Sequence, residues 1–193
     1  MTRLIISGLI ASFAMPGMAL AQAEDVASQG ASQTVIVEGS VPKACVLSSP
    51  GQATLPIGAL TDGTGRLKPT LASTTVAVQT SFDDAWCNTK STLTLTASPL
   101  TLTVTPPYAS PAGFSRRVTY TAKLANWAVP VSLRPVQDDE QDTFDATGAH
   151  AALPLLLEIS ELAPLSGTSE APTNFIEAGQ YSANVVVTLA VAN

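Results

Sequence analysis

Charge is the first thing this sequence is short of. Asp, Glu, Lys and Arg make up only 12% of its 193 residues, about half the share found in an average globular chain. Basic residues are the scarcer sign, nine against 15 acidic, so no basic patch is available to neutralise phosphates and neither nucleic acid nor an anionic lipid surface is expected as a partner. Histidine occurs once and cysteine twice, which excludes a His/Cys zinc cluster, and neither cysteine has a histidine nearby in sequence to make it a nucleophile. The G-x-S-x-G, G-x-x-x-x-G-K-[ST] and G-x-G-x-x-G patterns are all missing, and with them the commonest routes to a nucleophilic hydrolase, a phosphate loop or a dinucleotide fold. The acidic run Asp138, Asp139, Glu140, Asp142, Asp145 fails as a calcium loop. A twelve-residue loop begun at Asp138 has Thr143 where glycine is needed and Ala149 where the bidentate glutamate belongs, so the run reads as a solvated acidic loop. His150, flanked by alanines, reads as an exposed loop residue. No catalytic residue, metal or cofactor is expected.

What is present begins with the amino end. Met1 to Ala23 holds one basic residue, Arg3, an apolar stretch from Leu4 to Ala14, a Pro16-Gly17 break and a terminal Ala21-Gln22-Ala23, which is the order of a secretory signal with its cleavage site. The apolar stretch is roughly 11 residues, against the about 20 of a membrane-spanning helix, and no later run approaches that length. Residues 1–23 are therefore expected to be removed, leaving an exported protein that begins at Glu24 and has no membrane span. Without Arg3, eight basic residues face 15 acidic ones, a net charge of −7. In an oxidising compartment Cys45 and Cys87 are most simply one bridge, and by loop-closure entropy such a bridge contributes about 4 kcal/mol.

Beyond Gln33 the chain alternates with period two and is rich in Val, Thr and Leu, and no stretch has helical periodicity. Strands are expected over 34–41, 53–57, 73–82, 91–97, 100–104, 117–124, 129–133, 153–162 and 180–191, separated by turn signals such as Asp62-Gly63-Thr64-Gly65, Pro106-Pro107 and Ala178-Gly179. Short strands at that spacing make a β-sandwich or barrel. Residues 24–33 are polar and expected to be an unstructured extension ahead of a single domain over 34–193. In the last strand the odd positions Tyr181, Ala183, Val185, Val187, Leu189 and Val191 form one apolar face, and the sequence ends two residues later. An uncovered strand edge of this kind templates pairing with another chain.

Three stretches carry a family resemblance. Thr34-Val-Ile-Val-Glu-Gly-Ser-Val-Pro-Lys-Ala-Cys45 is similar to a first strand running into a first cysteine. Val76-Ala-Val-Gln-Thr-Ser-Phe82 to Cys87, followed by Ser91-Thr-Leu-Thr-Leu-Thr96, is similar to a second strand ending in the partner cysteine and a third strand after it. Ile176-Glu-Ala-Gly-Gln-Tyr181 and the strand that follows resemble a closing A-G-x-Y turn and terminal strand. In this order they resemble the pilin-like subunits of chaperone-usher fimbriae and the related spore coat U-type secreted proteins. The resemblance implies an immunoglobulin-like sandwich with one disulfide that lacks its final strand. A periplasmic chaperone would complete it first, with an outer-membrane usher as a further partner in transit, and the amino-terminal extension of a neighbouring copy or another pilus subunit would complete it at the cell surface or in a fimbrium. The acceptor groove would be lined by Val185, Val187, Leu189 and Val191. Residues 24–33 depart from the pattern, offering only Val26 and alanines as apolar side chains, so the donor candidates are Val26 together with Val35 and Val37.

Two other functions remain open on sequence. One is a self-complete secreted β-sandwich that binds carbohydrate or mediates adhesion through Trp127, Tyr108 or Tyr120, since an aromatic face can stack on a sugar ring. The other is a hydrolase built on unrecognised carboxylates. Trp86, adjoining Cys87, is expected in the core against the disulfide.

Overall fold

A computed structural model describes residues 34–173 and 175–192. The expected signal segment 1–23, the extension 24–33 and Val26 lie outside the described residues. The chain divides into two units, Met1–Ser40 and Val41–Asn193. Within the first unit, residues 34–40 form no strand, and Val35, Ile36 and Val37 are 83%, 77% and 91% exposed. The strand expected over 34–41 is therefore not formed. Its alternation fits a ladder, but among the described residues it pairs with no strand.

The second unit is all-β, and among the described residues there is no helix. Its strands are β1 (Cys45–Leu47), β2 (Val78–Cys87), β3 (Ser91–Ala97), β4 (Leu100–Leu102), β5 (Phe114–Ser115), β6 (Arg117–Ala125), β7 (Val131–Leu133), β8 (Glu140–Ala146), β9 (His150–Ser166), β10 (Ser169–Glu170), β11 (Phe175–Ile176), β12 (Tyr181–Ser182) and β13 (Val185–Val191). The larger sheet runs β1-β2-β9-β6-β4-β12, with β10 on β9 and β7 on β6. A second sheet runs β13-β3-β8, and β11 pairs with β5 in a short parallel ribbon. Inward side chains of both sheets, among them Leu93, Leu95, Val118, Leu124, Leu155 and Ile159, form one core.

Two bulges keep the apolar side chains facing inward where the sequence spacing would turn them out. In β2 the buried Phe82 and Ala85 are three residues apart, and the ladder to β9 slips between them at the exposed Asp83 and Asp84. In β9 the same spacing separates Ile159 from Leu162. There the pairing with β6 slips, and Glu161 takes a left-handed backbone with φ 51°.

The Cys45–Cys87 bridge forms as expected, across directly opposed residues of β1 and β2. Trp86 is the corrected position: Ala85 and Cys87 face the core, so alternation turns the intervening indole outward, where it is only half buried. Trp127 takes the core position instead, at 8% exposed.

Three further expectations change. Residues 53–57 form no ladder, although Leu55 and Ile57 still pack half-buried against the core. The run read as an acidic loop contains β8, in which Phe144 faces inward opposite Leu93 while Thr143 and Asp145 face solvent. An edge strand with one side in water tolerates carboxylates that a central strand would not, which is why composition misread it. His150 is the first residue of β9, half-buried, with its ring centroid 4.9 Å from that of Trp127.

Replacing Cys45 and Cys87 together with serine is expected to lower unfolding stability by about 4 kcal/mol. Urea denaturation with and without reductant checks this, and the reductant should leave the double variant's midpoint unchanged.

Candidate strand-acceptor site

The terminal strand is split between the two sheets. Tyr181 and Ser182 pair with Leu102 and Thr101 in the larger sheet, whereas Val185–Val191 pairs with β3 in the smaller one. The neighbouring β3–β4 connection changes sheets at the same level, through Ser98 and the fully buried Pro99. Proline has no N–H to extend a ladder, so the pairing stops there. The apolar face expected from sequence continues across the split: Tyr181, Ala183, Val185, Val187 and Leu189 all pack against the core.

The hydrogen bonds flanking β13 fix which way its backbone points. Ser98 N–H donates to Asn184 O at 3.1 Å and Ala192 N–H donates to Lys90 O at 3.0 Å, so the even-numbered residues exchange bonds with β3. In an antiparallel ladder the alternate residues then present N–H and C=O to the opposite edge. These are Val185, Val187, Leu189 and Val191, and among the described residues no strand pairs with that edge. Strand β1 shows the same pattern. Asn88 N–H donates to Ala44 O (3.0 Å) and Ser48 N–H to Asp84 O (2.8 Å), which leaves the backbone of Cys45 and Leu47 on the side away from β2. β1 and β13 come within 8 Å at their Cα atoms yet share no ladder. Each is a terminal strand of its own sheet, so two bare edges are neighbours.

Farther along, the space between these segments widens into a cleft of about 390 Å³. One wall is the stretch from Pro50 to Ile57, which leaves β2 after Gly51 N–H donates to Ser81 O at 2.7 Å. The other wall is Tyr181–Val185. The floor belongs to the core itself and includes Phe82, Tyr120, Leu157 and Ile159. A second cleft of about 660 Å³ shares Leu55, Ile57, Leu100 and Tyr181 with the first and continues to Ile176. Of the four groove residues named from sequence, Val185 lines the cleft. Val187 and Leu189 are half-buried against the core beyond its end, and Val191 is half-buried at the end of the strand. Sequence reasoning missed Leu55, Ile57 and Tyr181 as cleft residues, although the period-two spacing of residues 53–57 was a usable signal.

The cleft's far end is pinned by a charged cluster. Arg116 binds Glu177 through two hydrogen bonds, Nε to Oε2 at 2.6 Å and Nη2 to Oε1 at 3.0 Å, and Ser110 Oγ donates to the same carboxylate at 3.0 Å. The Tyr181 hydroxyl donates to Glu177 O at 2.8 Å. The Arg116 bonds, aided by Ser110, hold the Glu177 carboxyl below the ordinary glutamate range, while burial and then the Glu177 charge push the Tyr181 phenol up to about 12. Between the two residues lies Gly179, with φ 151°, where an added Cβ would collide with Leu102 Cδ1. The glycine of the A-G-Q-Y turn is thus required by both backbone and space.

Trp127 and His150 flank a shallow depression of about 350 Å³ with Leu153 and Pro154, but the indole's burial leaves no free ring face for a sugar. Tyr108 is 58% exposed, and Tyr120 is buried with its hydroxyl donating to Ser98 O at 2.7 Å. Among the described residues no group of three or more His, Cys, Asp or Glu side chains is placed to hold a metal ion. No family model, curated protein or solved structure matches this chain.

Two outcomes are expected here. Gly179→Ala should lower stability by about 1–3 kcal/mol through overpacking and strain, read from the urea midpoint. Because the Glu177 carboxyl is depressed in the folded state, its stabilisation is complete above the ordinary glutamate value and lost as pH falls through the folded one. The difference in melting temperature between the wild type and Glu177→Gln should therefore be widest near pH 7 and close on acidification. A difference that stayed constant down to pH 2 would contradict this role for the ion pair.

Proposed function

We propose that this chain is a non-enzymatic structural subunit of a fimbria or related cell-surface fibre, assembled by strand complementation. In this reading the fold is an immunoglobulin-like sandwich one strand short, exported through the periplasm, held there by a chaperone and passed to an outer-membrane usher. The observation that carries the reading is the pair of neighbouring bare edges on β1 and β13, together with a cleft floored by core side chains. An extended segment entering the cleft between Pro50–Ile57 and Tyr181–Val185 would meet the free backbone groups of Val185 and place alternate side chains over Phe82, Leu157 and Ile159, which is the β-augmentation mode of recognition. Residues Thr34–Val41 suit this task better than 24–33. Val35, Val37 and Val41 fall on one face of an extended strand, and all three are more than four-fifths exposed. Each valine buried on insertion contributes roughly 1.5–3 kcal/mol. Insertion from one copy into the next is heterologous and propagates a filament instead of closing a ring.

The test uses the mature chain from Glu24, studied by light scattering and thermal melting, alone and with a synthetic peptide of residues 24–41. The peptide should raise the melting temperature by about 5–10 °C at a hundredfold excess over its Kd, and a Val37→Asp peptide should not. A monomer indifferent to the wild-type peptide would refute strand complementation and return the self-complete secreted domain as the leading reading.

A further inference from the structure

We propose that the apolar pole around Leu153 and Val129 is the surface on which a second copy of this chain seats when that copy's cleft takes up residues Thr34–Val41. The proposal rests on the strand-complementation reading and adds to it where the two copies touch. Asn88 fixes the point at which the donor leaves its own domain. Its Nδ2 donates to Pro42 O at 2.8 Å, its Oδ1 accepts from Ala44 N–H at 2.8 Å, and its own N–H donates to Ala44 O at 3.0 Å. Pro42 is therefore held beside the disulfide, and Val41 follows it directly with no slack. A segment of eight residues spans at most about 28 Å even when fully extended, so any copy that buries Val41 and Val37 must lie against the end of the domain from which they emerge.

That end is where β9 begins. His150 pairs with Cys87, the residue before Asn88, and Leu153 pairs with Ala85. Adjacent strands are about 4.8 Å apart, so in the order β1-β2-β9-β6 the β9 rim of the depression under Trp127 lies about one strand spacing from Asn88 and about two from Pro42 on the β1 side. Leu153 is 51% exposed and Val129 46%, with Ala128, Ala151 and Pro154 exposed around them. None of the residues lining the depression is Asp, Glu, Lys or Arg. In a chain of net charge −6, two copies repel wherever acidic surfaces meet. An uncharged apolar pole beside the donor is where they can close, and exposed patches of this kind mark contact sites.

The test compares the wild type with Leu153→Glu, and with Val104→Glu as a control. Val104 is 77% exposed, belongs to no strand and lines neither the cleft nor the depression. Sedimentation of the mature chain over a concentration series reads self-association, and thermal melting with the peptide of residues 24–41 reads the cleft separately. The expected result is that the peptide stabilises all three proteins alike. Leu153→Glu should raise the concentration for half-association about tenfold, while Val104→Glu leaves it unchanged. If the peptide stabilises the protein but Leu153→Glu associates like the wild type, or the wild type stays monomeric, the pole is not a contact between copies and the proposal falls. If the peptide stabilises none of them, the strand-complementation reading fails first, and the pole contact falls with it.

Discussion

The structure depends most on the ladder around β9. Seventeen residues long, this strand is paired with β2 on one side and β6 on the other, and it supplies Leu155, Leu157, Ile159 and Leu162 to the core. Backbone groups removed from water must be paired, so a strand satisfied along both edges can be buried where one satisfied along a single edge cannot. The two bulges, at Asp83–Asp84 and at Glu161, are local adjustments that let this ladder persist while the apolar residues stay inward. Everything outward from β9 is less fully paired, down to β1 and β13, which each have one satisfied edge.

From that gradient follows the character of the site. The cleft between Pro50–Ile57 and Tyr181–Val185 is a break in the core's cover where two sheets end side by side, bordered by backbone groups without strand partners. It contains no cluster of titratable groups. The charged residues near it, Arg116 and Glu177, are engaged with one another and with the backbone that positions Tyr181. Such chemistry suits the binding of an extended chain, in which main-chain bonds give affinity and alternate side chains give register. The exposed valines of residues 34–41 have the matching period. In the assembly proposed above, their covalent attachment beside the disulfide would link the cleft of one molecule to the Trp127 pole of another.

Much of this was legible from residue order. Period two identified β3, β6 and the inward face of the last strand down to individual residues, because alternation across a strand is a local property of the backbone. The disulfide was legible because two cysteines in a chain expected to be exported leave little else to do. Trp86 was misplaced by reasoning from its neighbour Cys87 where alternation should have decided. β8 was hidden by its acidic composition, since an edge strand may carry on its open side residues that a buried strand excludes. The terminal strand's division between sheets was invisible, because the face of Tyr181–Val191 runs through Ala183 and Asn184 without interruption.

The sequence by itself determined which side chains turn inward along the unbroken strands β3, β6 and β13, that the domain is all-β and that Cys45 finds Cys87, since these follow from spacing, propensity and count. Only the tertiary structure decided which strands lie at the edges. Residues 34–41 and 53–57 alternate as well as any strand in the chain, yet neither joins a ladder, because a ladder requires a partner at hydrogen-bonding distance and that is fixed by the path of the whole chain. The same global constraint placed the open edges of β1 and β13 side by side and opened the cleft between Pro50–Ile57 and Tyr181–Val185.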